Sequence, residues 1–304
     1  MSLLVKTPNW LGDLVMSFPA LSMLSEKYPD MTIWSNQRVS ALIPVFFPSI
    51  NVLTDRRIKG GNFKTLLLMT DSFRSAFQGI ISFIPRRIGY RTDMRGILLT
   101  KAITPPSDRA HHHSLDYKIL ALAAGASAKP AKLIPAVEPE GAPHTAFFAG
   151  AKYGSAKMWP YFRKLAPLLH AAGGLPSVFY GSPQEESFLS ELSSGLPHTE
   201  VRTALTLPEL VSHLLSAELA VGNDSGGVHV SALLGIPTVT VFGSTSSEWT
   251  APAGRFTAEV RTDRVCSPCF KRECPHGEPM CLNDISSDTV FSTCMRLMKR
   301  VSDG

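Results

Sequence analysis

Residues 218–235 read ELAVGNDSGGVHVSALLG and are the most informative stretch of the chain. Its first four residues predict a short buried strand, and its last six predict a helix that stops at a glycine. The polar run Gly222–His229 therefore lies on a strand-to-helix turn, where free backbone N–H groups and the helix dipole attract anions. Its glycines let the backbone approach a ligand, while Asp224 and His229 add a carboxylate and an imidazole. The run predicts a site for a phosphorylated ligand.

The same alternation of strand and helix runs through both halves of the chain and predicts parallel sheets with right-handed crossovers. The predicted strands are Leu3–Thr7, Met31–Ser35, Thr65–Thr70, Arg87–Tyr90, Thr145–Ala149, Ser177–Tyr180, Glu218–Val221 and Pro237–Phe242. The predicted helices are Leu14–Lys27, Ser72–Ile81, His113–Ala124, Pro160–Ala172, one from Pro183, Leu207–Ser216, Val230–Gly235 and Asp288–Val301.

A segment rich in proline, alanine and glycine, residues 125–143, predicts a linker between two domains. We expect two Rossmann-like domains, residues 1–140 and 141–285, with a ligand bound in the cleft between them. The remaining residues, 286–304, are expected to form a C-terminal helix.

Composition and charge restrict the class of protein. The 304 residues are 44% hydrophobic and 18% charged, which is typical of a globular protein. No apolar run is long enough to span a bilayer, and the N-terminus lacks the features of a signal peptide, so a cytoplasmic protein is expected. Residues 1–140 carry a net charge of +7, and the segment from residue 56 to residue 109 alone carries +8. This segment is either a solvated basic face or a surface that attracts polyanions or an anionic membrane, and it has no nucleic-acid motif.

Two further loops follow predicted strands. Thr7–Asp13 (TPNWLGD) precedes the first helix, and Asp13 is either its N-cap or a general base at the carboxyl edge of the sheet. The loop is not a dinucleotide fingerprint, because the G-x-G-x-x-G pattern is absent. Gly150–Pro160 (GAKYGSAKMWP) carries two lysines that either neutralise a diphosphate or are merely solvated. Glu185, after another strand, either accepts ribose hydroxyls or complements a helix dipole.

Cysteine and histidine clusters raise the question of a metal. Cys266, Cys269, Cys274 and Cys281 have the spacing C-x2-C-x4-C-x6-C. By spacing alone, four thiols within sixteen residues suggest a structural zinc or iron–sulfur site, and the first pair is spaced like metal ligands, but the later intervals match no standard zinc ribbon. Disulfides are not expected in a reducing cytoplasm. The triple His111–His113 is interpreted as a polar helix start, with metal binding as the alternative. We predict no metal site.

Several motifs together resemble one family over nearly the whole chain. They are PNWLGDLVM from Pro8, DSFRSA from Asp71, PRRIGYR from Pro85, GAKYGSAKMWP from Gly150, NDSG from Asn223, FGSTS from Phe242 and CSPCFKRECPHG from Cys266. On these residues the chain resembles the ADP-heptose–lipopolysaccharide heptosyltransferases of glycosyltransferase family nine, most closely the heptosyltransferase II group. The resemblance implies an α/β GT-B fold, with an N-terminal acceptor domain and a C-terminal nucleotide-sugar domain facing across a cleft. It also implies that the C-terminal helix, residues 286–304, packs back on the first domain.

The resemblance also implies a reaction and its residues. It implies inverting transfer of heptose from ADP-heptose to the inner-core heptose of lipopolysaccharide, with Asp13 as the base and Lys157 stabilising the leaving diphosphate. The implied donor-binding residues are Lys152, Tyr153, Glu185, Leu205, Asp224, Ser225, Gly226, Gly227 and His229. No cofactor is required, and a divalent cation is a candidate stimulant. The alternatives are a related transferase with another acceptor or nucleotide sugar, and a non-catalytic nucleotide-sugar-binding protein.

The basic segment gains a meaning from the same resemblance, because the implied acceptor carries phosphates and acidic sugars. Arg56, Lys59, Arg91 and Arg95 are the candidate acceptor-binding residues. The resemblance implies a cytoplasmic protein in peripheral contact with the inner face of the inner membrane, and no nucleic-acid partner.

Overall fold

The chain folds into two compact units. The structure, a computed structural model, describes residues 2–54, 58, 63–106, 108–127 and 129–303. The units comprise Met1–Ala136 and Val137–Gly304. The division falls within the proline-rich segment that predicts a linker.

The described residues of the first unit form six strands and four helices. The strands are β1 (Leu3–Lys6), β2 (Thr32–Trp34), β3 (Asn51–Leu53), β4 (Thr65–Leu68), β5 (Arg86–Tyr90) and β6 (Lys101–Ile103). The helices are α1 (Leu11–Lys27), α2 (Ile43–Phe46), α3 (Phe73–Ile81) and α4 (Ser114–Ala123), with 3₁₀ turns at Ser40–Leu42 and Arg95–Leu98. The strands pair in parallel in the order β3-β2-β1-β4-β5-β6. The central strands β1 and β4 are buried along their whole length, as expected for a sheet covered on both faces.

The second unit repeats this plan. Its strands are β7 (His144–Phe148), β8 (Ser177–Tyr180), β9 (Thr199–Arg202), β10 (Ala217–Asn223), β11 (Thr238–Phe242) and β12 (Thr257–Arg261). Its helices are α5 (Phe162–Gly173), α6 (Glu186–Ser193), α7 (Leu207–Leu214), α8 (Gly226–Leu233), α9 (Ser247–Thr250), α10 (Met280–Asn283) and α11 (Ser287–Ser302), with 3₁₀ turns at Ser155–Lys157 and Pro183–Glu185. The parallel order is β12-β11-β10-β7-β8-β9.

Both sheets have the strand order of a dinucleotide-binding domain. The first strand of each unit lies beside the fourth, and the chain winds outward from this pair in both directions. In such sheets ligands bind at the carboxyl ends of the strands where the winding reverses. The switch points are therefore β1/β4 in the first unit and β7/β10 in the second. The predicted α/β class with two Rossmann-like units is confirmed.

The C-terminal helix belongs to the second unit. Helix α11 packs on α5, β12 and β11 of that unit. Its apolar residues Val290, Cys294 and Leu297 recur at helical spacing and join the buried core of that unit. That the helix also packs back on the first domain stays a prediction. Among the helices described, none has the length and hydrophobicity needed to cross a bilayer.

Candidate functional site

The switch point of the second unit brings two predicted loops together. The lysine-bearing loop follows β7, the run Gly222–His229 spans the end of β10 and the first turn of α8, and β7 and β10 are hydrogen-bonded neighbours. Asn223, the last residue of β10, is fully buried and connects the two loops. Its Nδ2 donates to the carbonyl oxygen of Ala149 at 2.7 Å, and its Oδ1 accepts from the backbone N–H of Trp159 at 3.0 Å. One amide side chain thus holds both ends of the lysine loop.

Lys157 and Asp224 form an ion pair at this edge. The Lys157 Nζ donates to Asp224 Oδ2 at 2.6 Å and to the Asp224 carbonyl oxygen at 3.2 Å. The side chains are only 12% and 5% exposed. An ammonium group has three donors, and these contacts use two of them. The pair therefore fixes a cation at the point where the sequence predicts a diphosphate.

The Asp224 carboxylate has further neighbours on the loop after β11. Thr245 Oγ1 donates to Asp224 Oδ2 at 2.7 Å, and Thr250 Oγ1 donates to the same oxygen at 3.3 Å. The Nε2 atom of His229 lies 3.8 Å from Asp224 Oδ1. Burial alone would raise the pKa of Asp224, but the neighbouring His229 and Lys157 hold it well below its usual value. Asp224 is consequently ionised at neutral pH.

The cysteine-bearing segment packs over the lysine loop. The Tyr153 hydroxyl donates to the carbonyl oxygen of Phe270 at 2.6 Å, and the Ala156 N–H donates to that of Arg272 at 3.0 Å. The Tyr153 ring lies 4.8 Å from Lys157 Nζ and 5.4 Å from the Arg272 guanidinium carbon. These are cation–π distances, so Tyr153 adds electron-rich surface beside both cations.

The cysteines themselves are free thiols in the structure. Cys266 is exposed, Cys269 and Cys274 are half-buried, and Cys281 is buried. Burial is the main cause that raises the pKa of Cys281. Across the residues that the structure describes, no three His, Cys, Asp or Glu side chains are grouped so that they could hold a metal ion.

Helix α8 begins at Gly226 and presents its first turn at the same edge. Ser225 precedes it in an extended conformation, and within the described part of the chain its side chain makes no capping hydrogen bond. Gly226 is half-buried and Gly227 is buried. A Cβ on Gly227 would lie 2.1 Å from the Phe148 ring, so glycine at this position lets α8 pack closely on β7. Packing is thus a second reason for a glycine at 227, beside the predicted approach to a ligand.

The remaining donor-site candidates differ in exposure and partners. Glu185 Oε2 accepts from the backbone N–H and the hydroxyl of Ser182, both at 2.7 Å, and caps the turn after β8. Its Oε1 faces Gly150, at the start of the lysine loop. Leu205 is half-buried on the loop after β9, and Lys152 is exposed. Glu185 therefore lies against the start of the lysine loop.

At the switch point of the first unit, Asp13 is not an N-cap. Helix α1 begins at Leu11, its N-cap position is Trp10, and Asp13 is a half-buried residue in the first turn. Burial raises the pKa of Tyr117 well above its usual range, and the nearby carboxylates of Asp13 and Asp116 raise it further. The carboxylate of Asp13 is thus near enough to the phenol of Tyr117 on α4 to act on it electrostatically.

Two residues of the histidine triple, His111 and His113, belong to a hydrogen-bond network with Asp116 and Tyr117 that the sequence does not predict. His113 occupies the N-cap position of α4, which confirms the predicted helix start. His111 Nε2 and His113 Nδ1 each lie 2.8 Å from a different oxygen of Asp116. The Tyr117 hydroxyl lies 2.9 Å from His113 Nε2. Burial would raise the pKa of Asp116, but hydrogen bonds from the two histidines hold it below its usual value.

The four basic residues predicted to bind the acceptor differ in exposure. Arg56 and Lys59 lie outside the described residues, and Arg91 is exposed at the end of β5. The prediction that Arg95 binds the acceptor is wrong, because its side chain is fully buried. Its guanidinium donates to the carbonyl oxygens of Tyr90 and Thr70 and to Asp71 Oδ1. It therefore anchors the turn after β5 instead of reaching a ligand.

This burial leads to a stability prediction. Replacing Arg95 with alanine should lower the free energy of unfolding by about 2–4 kcal/mol, since buried carbonyl acceptors lose their donors. The matched change Arg91→Ala should alter it by less than about 0.5 kcal/mol, because Arg91 is exposed. Urea unfolding of both variants measures the difference. Equal losses would show that Arg95 is not structural.

Comparison with known proteins agrees with this architecture. The sequence model of Glycosyltransferase family 9 (heptosyltransferase) matches residues 53–279. Lipooligosaccharide heptosyltransferase 2 of Campylobacter jejuni is 25% identical over 329 residues, which cover 98% of this chain and 99% of the relative. Lipopolysaccharide heptosyltransferase 2 of Escherichia coli K12 is also 25% identical and covers the same shares, 98% and 99%.

A solved protein structure has the same fold as this chain. The structure of E. coli ADP-heptose lps heptosyltransferase II superposes with a TM-score of 0.82 at 22% identity, over 99% of this chain and 100% of that chain. This likeness confirms the GT-B fold. The family model spans well over half of the residues. The chain is a glycosyltransferase and belongs to glycosyltransferase family 9, the heptosyltransferase family.

Proposed function

We propose that this enzyme is an inverting transferase that moves heptose from ADP-heptose to the inner-core heptose of lipopolysaccharide. The observation that carries the proposal is the buried Lys157–Asp224 pair at the β7/β10 switch point, beside the first turn of α8. A fixed cation and a helix N-terminus together suit a diphosphate. The names of the relatives support heptose as the sugar and lipopolysaccharide as the acceptor.

On the donor side, the diphosphate of ADP-heptose binds to the Lys157 ammonium and to the backbone N–H groups of residues 225–227. Lys152 and Tyr153 support it from the same loop. Asp224 Oδ1 and His229 face the heptose hydroxyls, while the adenosine lies along Glu185 and Leu205. As the bond between the anomeric carbon and the diphosphate oxygen breaks, Lys157 stabilises the charge that develops on the ADP leaving group.

On the acceptor side, Asp13 removes the proton from a hydroxyl of the inner-core heptose. The oxygen attacks the anomeric carbon from the face opposite ADP, so the new glycosidic bond has inverted configuration. Tyr117 is a candidate for holding Asp13 in place, through the network that ends at Asp116. Arg91 contributes positive charge toward the acidic acceptor, and Arg56 and Lys59 remain candidates for the same role.

The reaction as proposed requires no cofactor, and a divalent cation is at most a stimulant through its charge. The enzyme works in the cytoplasm, in peripheral contact with the inner face of the inner membrane, where a lipid-anchored acceptor is available. It has no nucleic-acid partner. These statements go beyond membership of the family. Activity measured with different donors and acceptors tests the proposed reaction.

The direct test is an activity panel with purified protein. ADP-heptose should be consumed with a lipopolysaccharide acceptor that ends at the first inner-core heptose, and a heptose-free acceptor should give no product. UDP-sugars should not replace the donor. Turnover with the heptose-free acceptor would overturn the proposed acceptor, and ADP binding without any turnover would favour a non-catalytic binding protein. Anomeric configuration of the product, measured by NMR, tests inversion.

A further inference from the structure

Helix α3 has its large apolar residues on the outside. Its buried positions hold Ser75, Ala76, Gln78 and Gly79, which are small or polar. Phe73, Phe77 and Ile81 recur at helical spacing, and each is nearly half exposed. An ordinary surface helix has the opposite arrangement, because apolar side chains gain free energy by leaving water. The outward face of α3 therefore has the composition of a contact surface.

The close packing of α3 explains why this arrangement is stable. A Cβ on Gly79 would lie 2.7 Å from Leu66 Cδ2 and 3.0 Å from Arg87 Cδ, so the helix backbone lies directly against the sheet. After the helix, the buried Ser82 hydroxyl donates to the Ile58 carbonyl oxygen at 3.0 Å. Small residues on the inner face thus fix the orientation of the helix, and the large ones are left on the surface.

Two of the most exposed apolar residues are held in strained backbone. Phe83 is 91% exposed at a φ of 55°, and Met94 is 90% exposed at a φ of 58°. Left-handed backbone is unfavourable for bulky side chains and persists only when the surrounding structure imposes it. Both side chains point into solvent, so the strain is not compensated by contacts that they make within the described chain.

The second strained residue belongs to the same surface. Met94 precedes the 3₁₀ turn Arg95–Leu98, which lies against α3 and carries Ile97, 88% exposed. Arg87 Nε donates to the Leu98 carbonyl oxygen at 2.7 Å and ties this turn to β5. We name the exposed set the apolar ridge. It consists of Phe73, Phe77, Ile80, Ile81, Phe83, Met94 and Ile97.

Charge around the apolar ridge is positive. Residues 72–101 include six basic side chains and one acidic side chain, Asp93. Of the basic ones, Arg74, Arg86 and Arg91 are exposed within or beside the ridge. Aromatic and aliphatic side chains bordered by arginines suit the boundary between anionic headgroups and acyl chains.

We propose that the apolar ridge is the surface through which the first unit docks on an anionic lipid bilayer. Phe73 lies two residues after Asp71, which follows β4 at the β1/β4 switch point, so the ridge borders the edge that carries Asp13. Docking here would hold that edge at the headgroup layer. The inference deepens the proposed function, because it names the residues that bring the enzyme to a lipid-anchored acceptor.

Vesicle flotation tests the surface. The full chain should float with phosphatidylethanolamine–phosphatidylglycerol vesicles and much less with phosphatidylcholine vesicles. The triple variant Phe77→Ser, Phe83→Ser, Ile97→Ser should bind at least about tenfold more weakly. A matched control changes exposed apolar residues elsewhere, Leu122→Ser with Ile134→Ser, and should bind as the unmodified chain does. The double variant Arg74→Gln, Arg86→Gln should lose about fivefold to thirtyfold on the anionic vesicles only.

The single change Phe83→Gly separates docking from folding. Glycine suits the left-handed backbone, so this variant should weaken vesicle binding without lowering the thermal midpoint. Vesicle binding that is equal in the triple variant and the control would overturn the proposal. A dimer that the triple variant dissociates, with no vesicle binding by either protein, would identify the ridge as a contact between copies and overturn it as well.

Activity distinguishes this inference from the proposed function. With a deacylated, soluble core acceptor, the triple variant should be as active as the unmodified chain, whereas on acceptor embedded in vesicles it should be slower. If neither protein transfers heptose but only the unmodified chain binds vesicles, the docking surface stands and the proposed reaction fails. If both transfer heptose equally on vesicles and bind them equally, the reaction stands and the docking surface fails.

Discussion

Replacing Asp13 with asparagine is expected to lower turnover by at least about a thousandfold while leaving ADP affinity nearly unchanged. Asparagine keeps the size of the side chain and its place in the first turn of α1, but it cannot accept a proton from the attacking hydroxyl. Donor contacts are assigned to the other unit, so ADP binding reports separately on the integrity of the donor site. Steady-state transfer with ADP-heptose and calorimetric titration with ADP measure the two quantities.

Controls make the Asp13 result specific. Asp30→Asn removes an exposed carboxylate beyond the far end of α1 and should leave turnover unchanged. Tyr117→Phe should shift the pH dependence of the rate if Tyr117 holds Asp13, and it should have no such effect if Tyr117 is merely packed. Activity of the Asp13→Asn enzyme within tenfold of the unmodified enzyme would remove Asp13 from the role of base.

Replacing Asp224 with alanine is expected to lower the free energy of unfolding by about 3–5 kcal/mol. The change leaves the Lys157 ammonium, which is only 12% exposed, without its carboxylate partner. The Thr245 hydroxyl loses its acceptor at the same time. Removing both charges, by Lys157→Met with Asp224→Asn, should restore much of the stability but none of the activity. Urea unfolding of the single and double variants gives the coupling between the two sites.

A matched ion pair on the same unit serves as the control. Arg264 and Asp284 also form two contacts, but their side chains are 42% and 38% exposed, so Asp284→Ala should cost little. The pH dependence provides an independent check. Because the pKa of Asp224 is lower in the folded than in the unfolded state, its contribution is present at neutral pH and is lost as the pH falls toward the folded-state value. The difference between the unmodified chain and Asp224→Ala should therefore shrink in acid, and a difference that is constant with pH would contradict the ion pair.

Local sequence patterns predict the centre of each sheet but not its edges. The strands absent from the predictions, β3, β6, β9 and β12, are the edge strands of the two sheets. Each has exposed or half-buried positions along most of its length. A strand covered on both faces leaves a continuous apolar run in the sequence, whereas an edge strand is stabilised by one neighbour and leaves little pattern.

Of the candidate site in the second unit, too, one part is predictable from the sequence and another is not. The run after β10 and the lysine loop are recognisable because glycines and charged residues follow predicted strands. Their connection through Asn223, and the contribution of Thr245 and Arg272, join residues that are far apart in the chain and leave no periodic signal. Arg95 shows the converse error, since an arginine in a basic segment looks solvent-facing until its buried acceptors are known.

The contact between Gly227 and Phe148 limits the routes by which this site can acquire a new ligand. Any larger residue at 227 would push α8 away from β7 and displace the backbone donors of its first turn. The backbone N–H groups of this turn are thus held in position by the close packing of Gly227 on the Phe148 ring. A larger residue at 227 would therefore change this edge of the sheet from behind, and only glycine leaves the first turn of α8 in place.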